Sequence, residues 1–241
     1  MRDFSSRPDI DHLALLAALQ REFHAHLLVA DPDAPVPSCG RWTVRDLTVH
    51  LSDVHLWAAD MAQGLASAPD EERPAEHPED LAAHYRSCAA HLHETLTQLS
   101  PNAPARILGR DGTASFWRRR QVHETLIHLH DLAESLDAEP PEAGAEVWAD
   151  GIDEIITVMH PRQVRRGRAE PPSSSVRVTA TDAATSWVMP EDAEDPAAEI
   201  RGRAQDVALL LWGRRDLATS SLEVRGDRAA VQQLLDQPIT P

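Results

Sequence analysis

Lysine is missing from this sequence: all 23 basic residues among its 241 are arginine. Without that amine neither a lysine Schiff base nor a Walker-type phosphate loop can be built. Cysteine is scarce, with only Cys39 and Cys88 and no CxxC spacing, so nothing suggests a disulfide framework. No apolar run approaches the ~20 residues of a membrane span. Met1 to Ile10 is polar and charged rather than a secretory leader. Positive charge is also in deficit, the formal balance being −16, which disfavours nucleic acid and anionic membranes as partners. The expectation is a soluble cytoplasmic protein. The abundance of alanine, proline, aspartate and glutamate beside arginine fits a GC-rich genome such as an actinobacterial one.

What is present is mostly helical periodicity. Ile10, Leu13, Leu16, Leu19 and Phe23 recur at threes and fours and predict a helix over Ile10 to Leu28. Prolines 32, 35 and 37 end it. Thr43 with Asp46 three residues on forms a weak capping box for a second helix running to about Leu65. A third runs from about Pro78 through Leu81, Tyr85, Cys88, Leu92 and Leu96 to Leu99, a fourth over Ser115 to Leu136, and a fifth from about Ala143 to His160. Helices of this number and length predict a bundle. Pro161 to Ser175, rich in Arg, Pro and Ser, is the expected junction, with a helical domain over 1–163 and a small mixed α/β domain over 172–241. In the latter, Val176 to Thr179 and Leu222 to Arg225 alternate as strands, and Ala204 to Trp212 and Arg228 to Leu235 read as helices. The chain is long enough to bury a core without help from a metal.

Thirteen histidines make proximity in sequence a poor guide, so helix geometry has to sort them. At about 100° per residue, Glu124 and His128 lie about 40° apart and Asp131 about 20° from Glu124, one polar stripe. His123 and His128 are one residue too far apart for HExxH and fall about 140° apart, so a zincin reading fails. His50 borders the apolar stripe of the second helix, and His55 lies about 140° round from it. If the second and fourth helices pack together, His50, Glu124 and His128 supply two imidazoles and a carboxylate, the set of an open catalytic zinc site that also suits iron, nickel or cobalt. The same stripe is equally the pattern of a solvated helix face, and His50 that of a hydrogen-bonded histidine at the core edge. The basic runs Arg118 to Arg120 and Arg162 to Arg168 invite a nucleic-acid reading that the overall charge opposes. Cys39 sits between Ser38 and Gly40 with nothing near it in sequence to activate a thiol, and both cysteines read as structural or incidental.

Two segments carry more. Trp42-Thr43-Val44-Arg45-Asp46-Leu47-Thr48-Val49-His50-Leu51 and His123-Glu124-Thr125-Leu126-Ile127-His128-Leu129-His130-Asp131-Leu132 resemble the mycothiol-dependent maleylpyruvate isomerase family, a branch of the DinB-like bundles. The resemblance runs essentially the full length. It implies a DinB-like four-helix bundle followed by a small α/β domain, and a zinc or other divalent metal held by His50, Glu124 and His128. Asp206 to Arg214 is similar to the family's D-[LV]-x4-W-G-R stretch, which makes Arg214 the candidate for gripping a substrate carboxylate through two parallel hydrogen bonds. The alternative is a surface arginine closing a helix. Asp131 could orient a ligand histidine or face solvent. The resemblance further implies mycothiol as thiol cofactor or cosubstrate, with a small electrophile as partner. The implied reaction is cis-trans isomerisation of an unsaturated diacid such as maleylpyruvate by thiolate addition, bond rotation and expulsion. A mycothiol S-transferase and a non-catalytic metal-binding stress protein stay open beside it.

Overall fold

The computed structural model describes residues 10–65, 80–190, 193, 195–218 and 221–241. They divide into two compact units, Met1–Glu142 and Ala143–Pro241.

The first unit is built on helices whose ends are set by local chemistry. Helix α1 (His12–Leu27) starts at Asp11, whose side chain accepts from the Ala14 amide, and buries Leu16, Leu19, Phe23 and Leu27. A loop with one 3-10 turn at Pro37–Cys39 and a bridge from Pro35 to Thr43 leads to α2 (Val44–Ala62). There the predicted capping box is fully formed: Thr43 Oγ1 accepts from the Asp46 amide and Asp46 Oδ2 accepts from the Thr43 amide. Helix α3 (Leu81–Gln98) is capped by Asp80; the start expected near Pro78 lies outside the described residues. Between α3 and α4 comes a hairpin that the sequence reading did not assign, β1 (Pro104–Ile107) with β2 (Arg110–Thr113). Four-residue strands are too short to show a clear alternation. Trp117 Nε1 donates to the Arg106 carbonyl and ties the hairpin to α4 (Ala114–Ser135). Helix α2 packs against α3 and α4, and α1 against the same two, which makes a four-helix bundle.

Helix α4 decides the question its polar stripe left open. It is buried on nearly every face, and Glu124, His128 and Asp131 are 7%, 5% and 0% exposed. They do not form a solvated face.

The second unit opens with α5 (Ala145–Glu154), which continues through one π turn (Ile155–Met159) into α6 (His160–Arg165). Pro161 lacks an amide hydrogen and crowds the preceding turn, and it sits directly after that widened turn. Strands β3 (Val176–Ala180), β4 (Thr185–Met189), β5 (Ala198–Gly202) and β6 (Glu223–Gly226) form one sheet in the order β4-β3-β5-β6. Only the β3–β5 pair is parallel. Helices α7 (Ala204–Leu211) and α8 (Arg228–Leu235) pack on it. The domain division differs from expectation, falling at 142/143 rather than between Pro161 and Ser175. The fifth helix packs on α7, and Asp153 Oδ1 accepts from the Trp187 indole on β4, so it belongs to the sheet's unit and not to the bundle. Among the described residues no helix is long and apolar enough to cross a membrane.

Candidate metal centre

Packing of α2 against α4 brings the three expected side chains together. Glu124 Oε1 lies 3.6 Å from His50 Nε2 and 3.5 Å from His128 Nε2. The two imidazoles meet edge to face, 5.1 Å between ring centres. One candidate ligand atom from each of the three residues falls within 4.8 Å of the others, close enough for a single ion to reach all three. Glu124 and His128 are buried, whereas the His50 side chain is 33% exposed, so the centre opens to solvent on its α2 side. The helix that carries His50 buries residues toward both α3 and α4, and His55, expected round the other side, is the fully buried histidine of the pair.

Behind His128 stands Asp131. The carboxylate Oδ2 is 3.0 Å from His128 Nδ1 and accepts from Cys39 Sγ at 3.3 Å, while Oδ1 accepts from Ser38 Oγ at 2.8 Å. An ionised Asp131 can only accept, which makes Nδ1 the donor; a neutral His128 then carries its lone pair on Nε2, toward Glu124 and His50. That settles the choice for Asp131 between orienting a histidine and facing solvent. Cys39, His128 and Asp131 also form a possible metal group, which shares His128 with the first. Trp42, on the loop that carries Ser38 and Cys39, lies 4.8 Å from His50 and 6.4 Å from His128, ring to ring, and walls the site with an indole.

Sequence reasoning missed three of these neighbours. Ser38 and Cys39 reach Asp131 over more than 90 positions, and no local pattern reports such a contact. Arg120 left a local signal in its i, i+4 spacing from Glu124; in the structure it is buried and its guanidinium donates to Glu124 Oε2. The first basic run is thereby divided, since Arg118 donates to the carbonyls of Leu96 and Leu99 at the end of α3.

Deeper in the bundle, His55 Nδ1 is 2.7 Å from Gln121 Oε1 and Nε2 is 3.4 Å from Gln20 Nε2. Burial holds this imidazole down at about 4, against the pull of the Gln121 bond and helped by the nearby His128 and His50. The unfolded chain takes a proton near pH 6.5 that the folded one refuses until about 4. Stability from this group is therefore complete above pH 6.5 and lost as pH falls toward 4. Metal-free protein should lose about 2 kcal/mol of unfolding free energy between pH 7 and 5 from His55 alone. Urea midpoints at the two pH values, compared with those of His55→Gln, measure it; an equal pH response in the variant would refute the assignment.

Arg214 lies in the second unit, just past α7. Gly213 takes φ 71° there, and Nη1 of Arg214 donates to the Trp212 carbonyl, with the guanidinium 5.9 Å from the Trp212 ring. This is the helix-closing geometry weighed for it in sequence.

Residues 13–133 match the mycothiol maleylpyruvate isomerase N-terminal domain, and residues 146–233 match the MDMPI C-terminal domain. No curated protein matches the sequence. Two solved structures share the fold: a mycothiol-dependent maleylpyruvate isomerase (TM-score 0.61) and a histidine-to-alanine mutant of the same description (TM-score 0.63). Each is 16% identical, over 87% of this chain and 91% of the other.

Proposed function

The chain belongs to the mycothiol maleylpyruvate isomerase family, and from that premise we propose that it is a metal-dependent enzyme of thiol chemistry. In this reading it uses a low-molecular-weight thiol, mycothiol, to isomerise an unsaturated diacid of the maleylpyruvate kind. The observation that supports it most is the convergence of His50 Nε2, Glu124 Oε1 and His128 Nε2, with Asp131 hydrogen-bonded to His128 Nδ1. Two neutral imidazoles and one carboxylate are a donor set for zinc, leaving room for an exogenous ligand.

When bound, a divalent metal would lower the pKa of a coordinating thiol from ~8.5 and so supply thiolate at neutral pH. The chain's own residues do the rest. Of the three proposed ligands Glu124 is the anionic one, Asp131 holds His128 through Nδ1, and partly exposed His50 marks the side open to the thiol. Trp42 offers an apolar wall against which the unsaturated part of an electrophile can lie. Arg214 remains the proposed partner of a substrate carboxylate, on the resemblance.

Thiol-dependent turnover tests the proposal. Maleylpyruvate is supplied with and without mycothiol and the trans product followed by absorbance. Thiol-dependent isomerisation supports the isomerase; accumulation of an S-conjugate makes it a transferase; no turnover with any unsaturated diacid leaves a metal-binding protein. In the same assay Arg214→Gln should raise KM for the diacid about tenfold or more with metal content unchanged. An unchanged KM removes Arg214 from the substrate.

A further inference from the structure

We infer that Arg120 is a positioning residue for the metal centre: it reserves Glu124 Oε2, so that the carboxylate presents Oε1 alone, and it keeps the centre receptive to anions. The inference rests on the metal-centre reading above and concerns how this chain sets it up.

The two residues are one helical turn apart on α4 and face each other. Both are nearly closed off from water, 6% and 7% exposed. Arg120 Nη2 donates to Glu124 Oε2, whereas Oε1 is the oxygen that faces both His50 Nε2 and His128 Nε2. The oxygens of one carboxylate are thus divided between two tasks. A carboxylate with both oxygens available can bind a metal with both, as it often does with larger cations. Occupying Oε2 removes that mode and leaves a position for an exogenous ligand.

The charge matters as well. Guanidinium stays protonated at any physiological pH, and here it offsets the negative charge that Glu124 brings. A divalent ion at this site then keeps its attraction for an incoming thiolate, an effect strengthened by burial. A purely structural ion pair would stabilise α4 and do neither thing, which is what makes the idea testable.

Cobalt(II) in the full-length protein reports coordination through its visible bands, which weaken as coordination number rises. Wild type, Arg120→Met and Arg120→Lys are loaded with cobalt and titrated with 2-mercaptoethanol, following the thiolate-to-cobalt charge-transfer band. Arg120→Met should show weaker visible bands and require about tenfold more thiol, with both restored in Arg120→Lys. Bands and titration that superimpose on those of wild type overturn the inference. If circular dichroism shows Arg120→Met to be unfolded, Arg120→Gln is decisive, since it keeps a donor for Oε2 and loses the charge. Wild-type bands with about tenfold weaker thiol binding support the inference, and unchanged thiol binding overturns it. A wild-type protein that takes up no cobalt refutes the metal reading itself.

Discussion

His128→Ala should empty the metal centre. Purified from zinc-supplemented medium, the native protein is expected to carry about one metal per chain by mass spectrometry and the variant less than about a tenth of that. His128 is buried, and the buried Asp131 carboxylate holds it through Nδ1. Its loss leaves only Glu124 and the partly exposed His50, too few for a tight zinc site. Thiol-dependent activity should fall by about 30-fold or more, because an uncoordinated thiol of pKa ~8.5 is only a few per cent thiolate at pH 7. His123→Ala is the control: it neighbours Glu124 in sequence but points about 100° away on the helix, and it should keep the metal. Metal retained by His128→Ala would show the ligand assignment to be wrong, and the catalytic reading would go with it.

Replacing Asp131 should cost nearly as much without touching a proposed ligand. The carboxylate is fully buried and joins His128 Nδ1 to Ser38 and Cys39 on the loop before α2. Asp131→Ala releases the imidazole to rotate or to place its proton on Nε2, and metal affinity should drop about 10–100-fold. It also leaves two part-buried loop donors facing an apolar side chain, at about 1 kcal/mol of stability. The two losses can be read separately, by competition with a chromogenic chelator and by urea unfolding of the metal-free protein. Unchanged metal affinity in a protein that has lost stability would reduce Asp131 to a tether for the loop.

Much of this was legible beforehand. The capping pair Thr43 and Asp46 set the start of α2 where expected, and the apolar stripes on α1 and α3 supplied buried Leu16, Leu19, Phe23, Tyr85, Leu92 and Leu96. The fold class, a helical bundle followed by a small α/β part, followed from the change of period after residue 175. The domain division did not: the fifth helix is amphipathic like its predecessors, and amphipathicity does not say which partner a helix covers. The β1–β2 hairpin escaped because four-residue strands carry little pattern.

For the candidate centre the separation is sharper. Sequence alone determined that Glu124, His128 and Asp131 share one side of a helix, because 100° per residue is a local property of the backbone that no tertiary context alters. It also determined the capping pair at the start of α2 and the full-length family resemblance. Only the tertiary structure decided that this polar side faces inward, that His50 meets it from α2, that Asp131 holds Ser38 and Cys39, and that Arg120 takes one oxygen of Glu124. Burial and contacts between distant segments are set by how amphipathic faces pack to exclude water, a collective outcome that helix periodicity restricts but does not choose.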